Sequence, residues 1–524
     1  MNSYKNFPGY TLFISTLLYT VFTFIACNQS NTKNKGTHLT NASIATGRAL
    51  AEQYCQSCHL LPDPSLLDKK TWQHGALPAM GPHFGIFQYG FESYPSRRGD
   101  RDVDINYYPS KPILNYPQWQ SIIDYYVSSA PDSLPRQHRE YPIQTGLPLF
   151  TPELPAVSNI PPATGLIKID TSTHSFYIGD IIKNKIYRYN DRLKAMDSVE
   201  TQGPIVGLHF EKNKMLACNI GILNPNDGKH GSAQYISFNA KGKMIAAKQA
   251  LFDSLKRPVQ ITEADLNNDG KTDYITCEFG NTAGALSWME NMGNGTFKRH
   301  VLRAEPGAIT AYINDYNHDG LPDIWALFAQ ADESIVLFTN KGNGQFDQQQ
   351  VLRFPSVYGS SSFELVDFNN DGFPDILYTC GDNADFSQIL KPYHGVYIFL
   401  NDGKNHFTQK YFFPINGCYK AIAKDFDGDG DLDIATISFF ADYKNQPEEG
   451  FVYFENKGNF DFHPYTLPAG SLGRWLTMDA ADIDGDGRPD IILGNFSLEM
   501  ANTTNHINWK KEPAFIVLKN TGKK

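Results

Sequence analysis

Five times between residues 265 and 490 the chain repeats one nine-residue pattern. An aspartate opens it, Asn or Asp stands third, Asp fifth, Gly sixth and Asp ninth. The copies are ADLNNDGKTDYITC, NDYNHDGLPDIWAL, VDFNNDGFPDILYT, KDFDGDGDLDIATI and ADIDGDGRPDIILG. Their first aspartates, Asp265, Asp315, Asp367, Asp425 and Asp482, are spaced by 50, 52, 58 and 57 residues. Nothing else in the sequence restricts the fold as strongly. A unit of this length cannot bury its apolar face alone, so it must pack against copies of itself.

After each acidic loop comes a β-branched or aromatic run, a second apolar run and an Asn-x-Gly turn, as in ENMGNGTF and TNKGNGQF. The first four of these turns lead into a further strand. Four strands in about fifty residues match one blade of a β-propeller. Residues 163–260 keep the strand rhythm without the acidic loop (SFYIGD, KIYRYN, MLACNIGI, AQYISFN) and read as two degenerate blades. Residues 163–524 are therefore expected to form a propeller of seven blades. The last unit stops at NTGKK after its third strand, so a segment within 144–158 should supply the fourth. Ring closure removes exposed strand edges.

The acidic loops read as cation sites. Side-chain oxygens at positions 1, 3 and 5 converge on one ion, and glycine at 6 permits the turn, as in the first half of an EF-hand. The ligand sets are Asp265, Asn267 and Asp269; Asp315, Asn317 and Asp319; Asp367, Asn369 and Asp371; Asp425, Asp427 and Asp429; and Asp482, Asp484 and Asp486. Position 12, the EF-hand glutamate, is Thr276, Ala326, Tyr378, Thr436 and Leu493. An aspartate at position 9 replaces it: Asp273, Asp323, Asp375, Asp433 and Asp490. Hard oxygen donors select Ca2+, up to five ions, over transition metals. An Asx-rich hairpin without metal is the alternative, but it would crowd carboxylates with nothing to offset their repulsion. The pattern resembles the FG-GAP or VCBS repeats of integrin-alpha-like propellers over residues 261–524. That resemblance implies a docking disc whose blade hairpins are pinned by calcium.

A different signal precedes the propeller. Tyr54–Leu61 reads YCQSCHLL, with Cys55, Cys58 and His59 in the spacing of a zinc knuckle, a redox dithiol or covalent haem. Zinc needs two more ligands, and no cysteine lies between Cys58 and Cys218. A redox dithiol would follow a strand, whereas ASIATGRALAEQY has helical spacing. Haem remains: both thiols can reach the vinyl groups from a helix end, with His59 on the iron. For the sixth ligand, Met80 lies in LPAMG, where Pro78 and Gly81 are expected to shape a loop, with His74 and His83 as rivals or an open site as the alternative. Ile122, Ile123, Tyr126 and Val127 form the stripe of a closing helix.

Residues 43–131 thus resemble a small all-α, class I-like cytochrome c domain carrying one haem c. Met80 follows His59 by only 21 residues, which is short for that class. The polar loop FESYPSRRGDRDVDINYYPSKP contains Arg98-Gly99-Asp100, a tripeptide too common to carry an adhesive role, and Asp100, Asp102 and Asp104 read as solvated surface.

Residues 10–26 are apolar or hydroxylated and uncharged, behind Lys5. This reads as an export signal over 1–27. FIAC resembles the lipidation box of bacterial lipoproteins, with Cys27 as the lipidated residue, although Phe24 and Ile25 depart from it. A plain signal or an uncleaved anchor are the alternatives. Residues 28–42 would be a tether, and 132–162, within a stretch from 131 that holds eight prolines, a stiff linker. A net charge of −10 argues against nucleic acid as a partner. Cys218, Cys277, Cys380 and Cys418 read as buried apolar side chains.

The expectation is a lipid-anchored, extracytoplasmic c-type cytochrome of the bacterial outer membrane. It would pass single electrons to a redox partner protein or small redox substrate, while the propeller docks an unnamed ligand. A propeller oxidoreductase using the haem as acceptor, and an adhesion or glycan-binding propeller with an accessory or sensing haem, are the rivals.

Overall fold

A computed structural model of the chain describes residues 41–156, 160–384, 388–467, 472–498 and 507–522. Cys27 and the export signal lie outside the described residues, as does the tether up to Thr40. Among the described residues, no helix is long and apolar enough to cross a membrane.

Residues 41–131 are helical and irregular. A first helix, Asn41–Tyr54, runs into a single 3-10 turn at Cys55–Ser57. A second long helix, Tyr116–Ser129, opens on a reciprocal cap between Asn115 and Gln118, each side chain accepting the other's backbone N–H at 2.9 Å. The two helices pack on each other at Gly47. A Cβ there would sit 1.8 Å from the Ser121 carbonyl oxygen, so only glycine lets the backbones approach this closely. Trp119 and Ile122, fully buried, centre the core beneath them.

The segment around Met80 differs from the expected loop. Residues 69–84 form one helical run: Lys69–Thr71 as α-helix, Trp72–Ala76 as π-helix, Leu77–Met80 as α-helix and Gly81–Phe84 as 3-10 helix. The prolines do not break it because each falls in the first turn of a short segment, where the missing N–H is not needed. The run ends at Gly85, at φ +78°.

Seven antiparallel sheets follow. Blades one and two, the pair without acidic loops, start at Thr164–Asp170 and Ile205–Glu211. The first strands of blades three to seven are Pro258–Ala264, Ala308–Asn314, Ser360–Val366, Cys418–Lys424 and Trp475–Ala481. Within blades three to seven, every residue of the second strand is buried, as in Asp323–Phe328. Both faces of that strand are covered by neighbouring blades, which is why these stretches read as unbroken apolar runs. Fourth strands such as Phe297–Arg303 (FKRHVLR) are largely solvated and charged, which discourages edge pairing.

Blade seven takes its fourth strand from far upstream. Phe150–Glu153 pairs antiparallel with the last strand, Phe515–Asn520, matching Phe150 with Asn520. Gln144–Thr145 adds a parallel fifth strand to blade six. The proline-rich linker is therefore bound along the propeller. Gln137 Nε2 donates to the Lys391 and His394 carbonyls, each at 3.0 Å, and Arg139 Nε donates to the Pro414 carbonyl at 3.0 Å.

Strand order sets the two faces of the disc. Acidic loops join first to second strands, so they share one face. Connections from second to third strands emerge on the other face. The helical region contacts that other face: the Tyr393 hydroxyl donates to the Leu66 carbonyl at 3.0 Å, Arg97 Nη1 lies 3.5 Å from Asp227, and Val357 and Ile389 pack against the helical core.

Candidate functional site

The CQSCH segment sits where the first helix tightens. Cys55 is half-buried against the helical core, Cys58 is exposed, and both thiols are free. Burial, helped by the nearby Cys58, pushes the Cys55 thiol up to about 12. His59 Nδ1 lies 3.0 Å from the Leu60 carbonyl oxygen. A carbonyl can only accept, so Nδ1 carries the proton and Nε2 is left as the nitrogen free to bind a metal.

The structure separates the three residues considered opposite His59. His74 is exposed and lies 4.0 Å from Glu92. His83 is half-buried, with its ring 5.4 Å from both Tyr107 and Tyr108. Burial and the closeness of His59 hold the His83 imidazole below its ordinary range. Met80, half-buried against the core, precedes His83 by three residues on one helical run, so both point from the same side. His83, one of the rivals named from the sequence, is near enough to His59 to feel its charge.

The five acidic loops share one backbone. The glycine at position 6 has a left-handed φ in each, from +78° at Gly270 to +98° at Gly430. Its N–H donates to the first aspartate at 2.8–3.1 Å in every loop. The carboxylates of Asp425, Asp427 and Asp429 lie within 4.8 Å of one another, and so do those of Asp482, Asp484 and Asp486. The loops of Asp265–Asp269, Asp315–Asp319 and Asp367–Asp371 place Asn267, Asn317 and Asn369 where the others have aspartate, with the position-5 N–H accepted by the first and third side chains alike.

The ninth-position aspartates sit below these oxygens, each the first residue of a buried strand. Asp273, Asp323, Asp375, Asp433 and Asp490 accept the N–H of Asn291, Asn340, Asn401, Asn456 and Asn520 at 2.7–2.9 Å. They tie the Asn-x-Gly turn to the acidic loop, so the two repeated signals are one structural unit. Burial pushes the Asp433 carboxyl up to about 7.

Blade seven holds a residue that sequence reasoning missed. Lys519 Nζ contacts Asp484 and lies 3.0 Å from Asp490 Oδ2, inside its own acidic loop. The equivalent positions, one before the conserved-geometry asparagine of each third strand, are Glu290, Thr339, Leu400 and Glu455. A comparison across blades would have found it.

The propeller axis carries charged side chains, but they are engaged in stapling blades together. Asp479 accepts the Ile169 N–H, Glu364 the Ala423 N–H, and Lys420 donates to the Met478 carbonyl, each at 2.8 Å. Cys218, Cys277, Cys380 and Cys418 are buried and unpaired as disulfides.

Comparison with known proteins agrees with the repeats. The profile of the FG-GAP-like repeat matches residues 265–326, 315–378 and 438–493. Integrin alpha-3 of Cricetulus griseus is similar over 185 residues at 25% identity, a match covering 31% of this chain and 17% of that protein. The chain thus spans about a sixth of that relative's length. Among solved structures, the N-terminal domain of Nup159 has a TM-score of 0.42 at 12% identity, covering 73% of this chain and 98% of that one. Sqt1 of Saccharomyces cerevisiae has a TM-score of 0.42 at 8% identity, with coverage of 69% and 96%. At these scores the propeller assignment rests on the strand pairings of the chain itself, which carries FG-GAP-like repeats on a seven-bladed β-propeller.

Proposed function

We propose that this protein is a lipid-anchored extracytoplasmic c-type cytochrome whose propeller docks a redox partner. The observation that carries the reading is the helix-end triad: two free thiols, one half-buried and one exposed, beside an imidazole whose Nδ1 is spent on a carbonyl. That donor set suits haem. Two thioether bonds need neither thiol to be acidic, whereas an attacking redox dithiol needs a lowered pKa, the reverse of Cys55. Bound haem would supply one-electron chemistry. Cys55 and Cys58 would hold it, His59 Nε2 would ligate one side, and Met80 or His83 the other. The nearness of His83 to His59 keeps it a live rival to Met80. Cys27 would anchor the chain in the outer membrane.

An absorption spectrum, oxidised and reduced, of protein from a host that matures exported cytochromes c tests this. Haem should resist extraction by acidified organic solvent. A sulfur-to-iron band in the oxidised form, lost in Met80→Ala, assigns Met80; its absence, with a change in His83→Ala, assigns His83. Protein that binds no haem sinks the proposal.

Calcium belongs to the same proposal, held by the position-1, -3 and -5 side chains with the ninth aspartate beneath. The ligand-loop face is separated from the helical region by a strand of six residues, roughly 20 Å. Chelation is therefore expected to lower propeller stability and leave the haem spectrum unchanged. Each occupied loop contributes about 2.7 kcal/mol when calcium stands at 100 times its Kd. Lys519 places an ammonium where the fifth ion would sit. Calorimetry should count four ions in the natural chain and five in Lys519→Gln; an equal count in both would show that the lysine does not compete.

A further inference from the structure

Where first strands begin, blades four, five and six each have a glycine in the left-handed region: Gly307, Gly359 and Gly417, at φ +95°, +70° and +64°. Its carbonyl accepts an N–H from the end of the second strand in blades four and five, at Ala329 (2.8 Å) and Gly381 (2.9 Å). Blade three has Arg257 at this position, making the same bond to Phe279 N–H at 3.1 Å, with φ +45°. A bulky residue in that region costs on the order of 1 kcal/mol or more, and such strain collects at functional sites. The outlier therefore asks what the guanidinium does.

Arg257 lies against the face that meets the helical region. Nη1 donates to the Gly280 carbonyl at 2.5 Å and Nη2 to the Leu223 carbonyl at 3.0 Å, and the group stacks on Phe279. Its Nε is buried and has no hydrogen-bond partner among the described residues. Charged and phenolic groups of three other blades and of the helical region are near enough for their charges to act on it, among them Arg97, itself paired with Asp100 at 2.6 Å and 3.5 Å from Asp227. Asp227, Asp382 and Tyr419 belong to blades two, five and six, and Arg97 comes from the helical side. Asp227 does not satisfy the Nε, because its oxygens accept the Thr282 N–H at 2.7 Å, the Thr282 hydroxyl at 2.8 Å and the Ala283 N–H at 2.9 Å. The cluster borders the thiol site. Tyr107, half-buried and in contact with Tyr108, is close enough to both Asp227 and Cys58 to feel their charges.

We propose that Arg257, with Arg97 beside it, forms a carboxylate-binding site between the propeller and the helical region, at the edge of the CQSCH segment. A carboxylate would pair two oxygens with the guanidinium fork and satisfy the buried Nε–H. The chemistry fits two sources: the propionates of a haem bound at Cys55 and Cys58, which rests on the function proposed above, or a free small carboxylate.

Arg257→Gly is the informative variant, because the sibling blades show that glycine fits this turn. Arg257→Lys and Arg97→Gln accompany it in the full chain. If the site holds propionates, Arg257→Gly keeps covalent haem but shifts its midpoint potential downward, since a nearby positive charge that disfavours the ferric form is gone; Arg257→Lys shifts it less. If the site holds a free carboxylate, the potential stays put, while succinate or citrate raises the melting temperature of the natural chain and not of Arg257→Gly or Arg97→Gln. Should neither potential nor carboxylate-dependent melting respond, the proposal is overturned. Failure to bind haem would refute the function proposed above, yet the succinate and citrate arm on haem-free protein would still decide this one.

Discussion

Alanine at both Cys55 and Cys58 is expected to leave the full-length chain folded and without covalent haem. The argument starts from burial. Cys55 packs at the edge of the helical core and Cys58 is exposed, so the two truncations remove one partly buried sulfur. That costs on the order of 1 kcal/mol. The crossing at Gly47 and the fully buried Trp119 are untouched, so the helices should still pack. On the proposed function, what disappears is the pair of thioether bonds to haem. A haem stain on a denaturing gel and the intact mass of the chain check the outcome. A stain that persists in the double variant would falsify covalent attachment at this segment. The same variant separates the metal reading, since zinc retained by the natural chain and lost here would place a thiolate site in haem's stead.

Phe150→Ala should destabilise the propeller by about 3–5 kcal/mol. Phe150 is 5% exposed and meets Phe426 at 5.6 Å and Tyr453 at 5.2 Å between ring centroids. It lies on the strand that closes the ring, paired with a residue 370 positions later. Loss of its ring leaves a cavity between blades six and seven and weakens the only described pairing that holds the fourth strand of blade seven. Urea unfolding monitored by tryptophan emission measures the effect. A loss below 1 kcal/mol would mean that the closing strand is held by its backbone alone. Chelation and Phe150→Ala should not simply add, because Phe426 lies within the fourth acidic loop and the Tyr453 hydroxyl donates to Asp433 at 2.8 Å, so that loop and this side chain share partners.

How much was legible follows from how far apart the interacting residues lie. The acidic loops, the Asn-x-Gly turns and CQSCH are written in consecutive residues, and five copies at a near-constant spacing expose the blade directly. The closing strand was legible too, since Phe150–Glu153 falls within the segment 144–158 expected to complete the last blade. The helical state of Met80 was misread. Pro78 and Gly81 carry loop signals, but the π-helical turn at Trp72–Ala76 and the prolines' first-turn positions let the run continue. The ninth aspartates were seen as ion ligands, while their bonds to the asparagine turns were not, since the partners lie 17 to 30 residues on.

The sequence alone determined the repeat, the acidic loop chemistry and the thiol–imidazole motif, because each depends on local spacing and on side-chain chemistry that travels with the residue. Tertiary structure decided which groups meet across the chain. It brought His83 toward His59, put Lys519 into the last acidic loop, and set Arg257 of blade three against Asp227 and Arg97. It also put the helical region on the face opposite the acidic loops. Those outcomes depend on the closure of the ring and the docking of the helices, where residues hundreds apart come together and no local spacing records the meeting.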